Sequence, residues 1–168
     1  MSVPQAGTGA ALSAHVRAEI DRWVARFPAG RQRSAVLAAL RAAQHENDGY
    51  LTPALMDGIA AYLGLPMVQV YEVATFYSMF ETEPCGRHHV SICTNVSCML
   101  RGGEELLRHA EQKLAIKVGE STPDGRIFLK REEECLAACC GAPMMMVDHV
   151  FHENLTPEKL DEILEGLD

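Results

Sequence analysis

The sequence predicts a helical bundle over residues 13–84 followed by an α/β domain over residues 85–168. Two observations carry this reading. Apolar residues recur at helical spacing through the first half, whereas in the second half they alternate or gather in short runs between helical stretches. The texture changes at Glu81-Thr-Glu-Pro-Cys-Gly-Arg87, where proline, glycine and charge cluster as they do in a connecting segment. At 168 residues the chain is long enough for one full domain or two small ones.

The elements follow in order. Residues 1–12, with Gly7, Gly9 and several alanines, read as a flexible tail. Val16, Ile20, Trp23, Val24 and Phe27 have helical spacing, ended by Pro28-Ala29-Gly30. Val36, Leu37, Leu40 and Ala43 form a second stripe, ended by Asn47-Asp48-Gly49. Thr52-Pro53 is an N-cap followed by proline in the first turn; Leu55, Ile59, Tyr62 and Leu63 make the apolar face, and Gly64 suits the C-terminal stop. Pro66 opens a short fourth helix carrying Val70, Val73 and Ala74. Short connections between these helices imply antiparallel packing. Beyond the boundary, residues 89–93 alternate like a strand, and residues 102–114 read as a helix on Leu106, Leu107, Ala110 and Leu114. Pro123-Asp124-Gly125 turns the chain into a strand over 126–130. Residues 144–147 suit a buried strand, Asp148-His149 turns it into a last strand over 150–152, and Thr156-Pro157 caps a final helix on Leu160, Ile163, Leu164 and Leu167.

Charge and hydropathy narrow the function. The net charge of −8 offers no basic surface for phosphates and argues against nucleic acid as a partner. Residues 1–45 are rich in arginine and residues 153–168 in acids, a pattern read as solvated faces. The N-terminus lacks the basic-then-apolar pattern of a signal peptide, and no apolar run approaches the ~20 residues of a membrane span. The expectation is a cytoplasmic protein without direct membrane insertion. In that reducing compartment six cysteines point to metal ligands or catalytic thiols ahead of disulfides.

Four of those cysteines form two short pairs, Cys93-Thr-Asn-Val-Ser-Cys98 and Cys135-Leu-Ala-Ala-Cys139, with 36 residues between the pairs. Four thiolates suit a [2Fe-2S] cluster and equally a structural zinc ion, and spacing alone leaves both open. An anionic cluster needs hydrogen-bond donors, which the loop backbone and the side chains of Thr94, Asn95 and Ser97 can supply. Ala137, Ala138, Gly141 and Ala142 let the second loop approach closely. The absence of Cys-x-x-Cys speaks against a dithiol oxidoreductase, and His88 and His89 are not interleaved with the cysteines as Rieske ligands would be. The histidines read as surface or packing residues. Cys85 reads as a buried or idle thiol. Cys140 can in principle replace Cys139, but adjacent side chains diverge, so only one should face the centre with Cys135.

At these residues the sequence resembles the thioredoxin-like [2Fe-2S] subunit of bacterial NADH:quinone oxidoreductase, respiratory complex I. The stretches that carry the resemblance are Gly49-Tyr50-Leu51, Leu63-Gly64-Leu65-Pro66, Val73-Ala74-Thr75-Phe76-Tyr77-Ser78, Gly86-Arg87-His88, both cysteine pairs, Thr122-Pro123-Asp124-Gly125-Arg126, Ala142-Pro143 and Leu155-Thr156-Pro157-Glu158, in family order across about residues 15–165. The resemblance implies that the C-terminal domain is thioredoxin-like and holds one [2Fe-2S] cluster on Cys93, Cys98, Cys135 and Cys139. It implies a partner flavoprotein subunit that binds FMN and NADH, further subunits of the peripheral arm of complex I, and attachment to the inner membrane only through that complex. Cys140 departs from the family pattern. Diaphorase subunits of NAD-dependent hydrogenases and formate dehydrogenases share the same motifs, so they stand as alternative settings; a zinc-stabilised interaction module is the alternative of another class. No Gly-rich dinucleotide loop is present, so an oxidoreductase subunit without a complete active site of its own is expected, with no catalytic residue assigned.

Overall fold

The structure, a computed structural model, describes residues 12–130 and 135–168. The expected tail lies outside the described residues except for Leu12, which is buried in a hydrophobic core. The chain divides into two compact units after Pro84.

The first unit holds α1 (Ala14–Val24), a 3-10 turn (Gln32–Ala35) leading directly into α2 (Val36–Glu46), α3 (Pro53–Leu63) and α4 (Met67–Phe76). Its caps are chemical. The Ser13 and Thr52 side-chain oxygens accept from the N–H groups of Val16 and Leu55, and Gly64 closes α3 at φ 66°, where a side chain would be strained. The helix α1 packs on α2, α2 on α3 and α4, and α3 on α4. Ile20, Leu40, Leu51, Ile59 and Val70 are fully buried among them. Gln44 ties the outgoing chain to α2: its Nε2 donates to the Met79 carbonyl at 3.0 Å and its Oε1 accepts from the Glu81 N–H at 2.9 Å. Two residues expected in the apolar stripes sit at their edges instead. Leu37 and Tyr62 are each 41% exposed, and the Tyr62 hydroxyl donates to the Asp21 carboxylate at 2.9 Å.

The second unit is a mixed sheet of β1 (His88–Ile92), β2 (Glu120–Ser121), β3 (Ile127–Lys130), β4 (Met145–Val147) and β5 (Val150–His152), ordered β2-β3-β1-β4-β5. Only β1 and β3 are parallel; the other neighbours are antiparallel. The parallel pair needs a long crossover, which α6 (Gly103–Leu114) supplies. Val90 and Ile92 of β1, Ile127 and Leu129 of β3, and Met145 and Val147 of β4 share a core with Leu106 and Ala110 of α6. Leu160 and Leu164 of α7 (Pro157–Glu165) complete that core, and the Thr156 hydroxyl caps α7. Lys113 of α6 meets Glu165 at 2.6 Å and Asp161 at 3.3 Å on α7, and His109 meets Asp161 at 2.8 Å. The strands begin within one residue of expectation, but β2 and a four-residue helix, α5 (Val96–Met99), were not expected; elements so short leave too little periodicity to read.

One ion pair anchors the start of β1. His88 Nδ1 lies 2.6 Å from Asp148 Oδ2, in the turn between β4 and β5, and His88 Nε2 lies 2.9 Å from the Asp168 carbonyl. Both ring nitrogens face acceptors, an arrangement only the imidazolium satisfies. The Asp148 hydrogen bond holds the His88 pKa above its ordinary value, against an opposing effect of burial. A raised folded-state pKa means this contribution to stability is complete below about pH 6.5 and disappears as pH rises through the raised value. Asp148→Asn keeps an oxygen for the His89 N–H, which Asp148 Oδ1 accepts at 2.8 Å, and tolerates the left-handed φ of 47°. It is expected to lower the denaturant midpoint at pH 6 and to flatten its decline between pH 6 and 8, as read in parallel unfolding titrations.

Candidate metal centre

The sheet delivers the first cysteine pair. Cys93 follows β1 directly, and its N–H donates to the Met144 carbonyl at 3.1 Å, extending the β1–β4 pairing by one step. The Asn95 side-chain oxygen accepts from the Val96 N–H at 2.8 Å and starts α5, which carries Cys98 back toward Cys93. Both thiols are buried, at 1% and 2% exposure, in a small core with Ala142 and Met144. That return requires Gly103 at the start of α6. A Cβ there would lie 2.7 Å from the Cys93 carbonyl oxygen and 2.9 Å from that of Cys98. Both neighbours are backbone, so neither can swing aside. Gly103 was not among the site residues expected from the sequence; the signal was its place beside Gly102, immediately before a helical stripe.

The second pair is presented at the surface. Cys135 and Cys139 are exposed, and their sulfurs lie 3.5 Å apart. Two thiolates on one tetrahedral metal at about 2.3 Å lie roughly 3.8 Å apart, so this pair already has chelating separation. Ala137 sits at φ 63°, a left-handed turn that directs its N–H to the Cys135 sulfur at 3.4 Å. Cys139 opens a single 3-10 turn, Cys139–Gly141, and the peptide bond from Ala142 to Pro143 is cis. Of the two adjacent thiols, Cys139 is the one whose sulfur lies against Cys135; Cys140 is exposed.

The pairs also feel each other. Burial first, and then the hydrogen bond with Cys93, push the Cys98 thiol up to about 11, with charge at Cys93 and Cys135 acting in the same direction. The Met144 backbone opposes this by hydrogen bonding to the Cys98 sulfur. Cys139 is raised chiefly by its hydrogen bond with Cys135, while Ser97 opposes the shift through a side-chain hydrogen bond. The raised Cys98 and Cys139 thiols hold their protons, and a metal that binds them must displace those protons. Among the described residues no three ligand-type side chains surround one point. The thiols stand as two pairs. Of the donors expected around them, Ser97 reaches a sulfur, whereas Asn95 is used as a helix cap.

Comparison with known proteins agrees with this architecture. The thioredoxin-like [2Fe-2S] ferredoxin family matches the chain over residues 20–168. The chain belongs to that family. An NADH-quinone oxidoreductase subunit of Rhizobium meliloti is 48% identical over 151 residues, spanning 90% of this chain and 88% of its own. The corresponding NADH-quinone oxidoreductase subunit of Rickettsia bellii is 39% identical over 144 residues, 86% of each chain. Among solved structures, a chain of the NAD+-reducing [NiFe]-hydrogenase in the air-oxidized state is similar at 25% identity and a TM-score of 0.67, over 82% of this chain. The present chain spans about a quarter of that longer one, 24% of its length.

Three substitutions test the site. Cys139→Ser is expected to abolish or strongly perturb the visible absorption of a reconstituted centre, and Cys140→Ser to leave it nearly intact. The reverse outcome in freshly reconstituted protein moves the ligand by one residue. Gly103→Ala forces two carbonyl groups apart and is expected to cost about 1–3 kcal/mol, read as a lower denaturation midpoint together with weaker retention of metal.

Proposed function

We propose that this chain is the electron-transfer subunit of an NADH dehydrogenase module and holds one [2Fe-2S] cluster on Cys93, Cys98, Cys135 and Cys139. The observation that carries the proposal is the grouping of the sulfurs into two pairs. A two-iron core takes two thiolates on each iron, whereas a single zinc ion takes four sulfurs around one point. The chain also aims donors at the sulfurs: the backbone at Met144 and Ala137 and the Ser97 side chain. Such dipoles stabilise an anionic centre, the charge that four thiolates give a two-iron core. When bound, the cluster accepts and returns single electrons, which matches it to a flavin that receives both electrons of a hydride at once.

FMN and NADH belong, on this reading, to a partner flavoprotein subunit; the likeness to NADH-quinone oxidoreductase subunits supports such a partner. This chain has no Gly-rich dinucleotide loop to bind either. Val96, Met99 and Leu100, at or beside the helix that carries Cys98, are 63%, 43% and 76% exposed, a surface that a partner subunit would cover. The same likeness supports a place in the peripheral arm of a complex I, on the cytoplasmic side of the inner membrane and attached through the complex. No helix among the described residues is long and apolar enough to cross a membrane. The likeness to the NAD+-reducing hydrogenase supports a second setting, the diaphorase module of such an enzyme.

Metal and sulfide assays of the purified chain test the proposal. Two irons and two acid-labile sulfides per chain are expected, with one spin-half signal after dithionite reduction. One equivalent of zinc without sulfide overturns it. The isolated chain is expected neither to retain FMN nor to oxidise NADH; activity with an artificial acceptor should require the flavoprotein subunit.

A further inference from the structure

Cys85, read from sequence as a buried or idle thiol, has a built environment. Its sulfur lies 3.2 Å from Nε2 of His89. At that distance either the S–H donates to a neutral imidazole or an imidazolium N–H donates to a thiolate. Both partners are held by backbone. Gly86, next to Cys85, lies so close to β3 that a Cβ on it would stand 2.5 Å from the Ile127 carbonyl carbon, and its N–H donates to the Ser121 hydroxyl at 2.9 Å. His89 is registered in β1 opposite Phe128, its N–H donates to Asp148 Oδ1 at 2.8 Å, and its ring stands edge-on to the Phe128 ring at 5.5 Å. The thiol is half-buried and so is not sealed from small molecules.

We propose that Cys85 and His89 form a reactive thiol site that exchanges with low-molecular-weight disulfides. His89 takes the thiol proton, and the Cys85 sulfur attacks one sulfur of the disulfide. A Cys85–sulfur bond forms as the bond within the small disulfide breaks, and the departing thiolate takes the proton that His89 carries. Cys85 is oxidised to the disulfide level and half of the small molecule is reduced to a thiol, so no further oxidant enters. A second thiol reverses the exchange. The site involves neither cysteine pair, so it stands whether or not the proposed cluster function holds.

The size of the effect follows from opposing trends. A neighbouring base raises the share of thiolate at the sulfur, while a more acidic thiol is a weaker nucleophile, so the net gain is modest, about threefold. Cys140, an exposed thiol without this geometry, is the internal comparison. Full-length, metal-loaded chain is incubated with oxidised glutathione at pH 7 under argon, and the adduct at each cysteine is followed by peptide mass mapping. Cys85 is expected to acquire the glutathionyl group at least about threefold faster than Cys140, although access alone favours Cys140. His89→Gln is expected to remove that advantage. Equal or slower reaction at Cys85 overturns the proposal, as does an unchanged rate in a folded His89→Gln variant. If that variant fails to fold, the comparison within the unaltered chain decides.

Discussion

Holding paired sulfurs close together, against their mutual repulsion as thiolates, is the constraint on which the proposed centre of the second unit depends. A buried thiolate is unfavourable, as the raised Cys98 pKa expresses, and a second thiol beside it adds to the cost, as the Cys139 pKa, raised chiefly by its hydrogen bond with Cys135, expresses. The fold offsets it with a rigid frame. The pairing of β1 with β4 sets Cys93 opposite Met144, and that same stretch of backbone bonds to the Cys98 sulfur. The apolar core of the sheet, closed by α6 and α7, keeps those strands from separating. Hydrophobic burial elsewhere in the unit therefore holds the strand end and the helix that carry Cys93 and Cys98.

The two pairs are held differently. Cys93 and Cys98 are buried at the end of a strand, whereas Cys135 and Cys139 lie in an exposed loop shaped by Ala137 in a left-handed turn. In the proposed centre one half would be fixed by the core and the other would face outward. For an electron carrier this asymmetry is useful: the insulated side keeps the surroundings of low polarity, and the outward side shortens the path for an electron to a partner.

Much of this was legible in the sequence. The pattern of Thr-Pro caps, Gly64 and amphipathic stripes located the helices because caps and periodicity are local interactions, complete within a few residues. The Cys93–Cys98 and Cys135–Cys139 spacings pointed to a four-thiolate centre for the same reason: a chelating pair is set by the loop that contains it. The stripes misled at Leu37 and Tyr62, which sit at the margin of a helical face where the neighbouring helix decides what is covered.

What the sequence determined by itself was therefore the class of the longer elements and the inventory of ligand-type side chains. Tertiary structure decided what no local pattern contains. It set the strand order that puts β1 between β3 and β4, and the backbone contact that excludes any side chain at Gly103. It chose Cys139 over Cys140 as the sulfur facing Cys135, and it joined Cys85 to His89. Each of these depends on backbone from distant segments meeting at close range. Such contacts follow from how layers pack and not from the propensity of any residue within them.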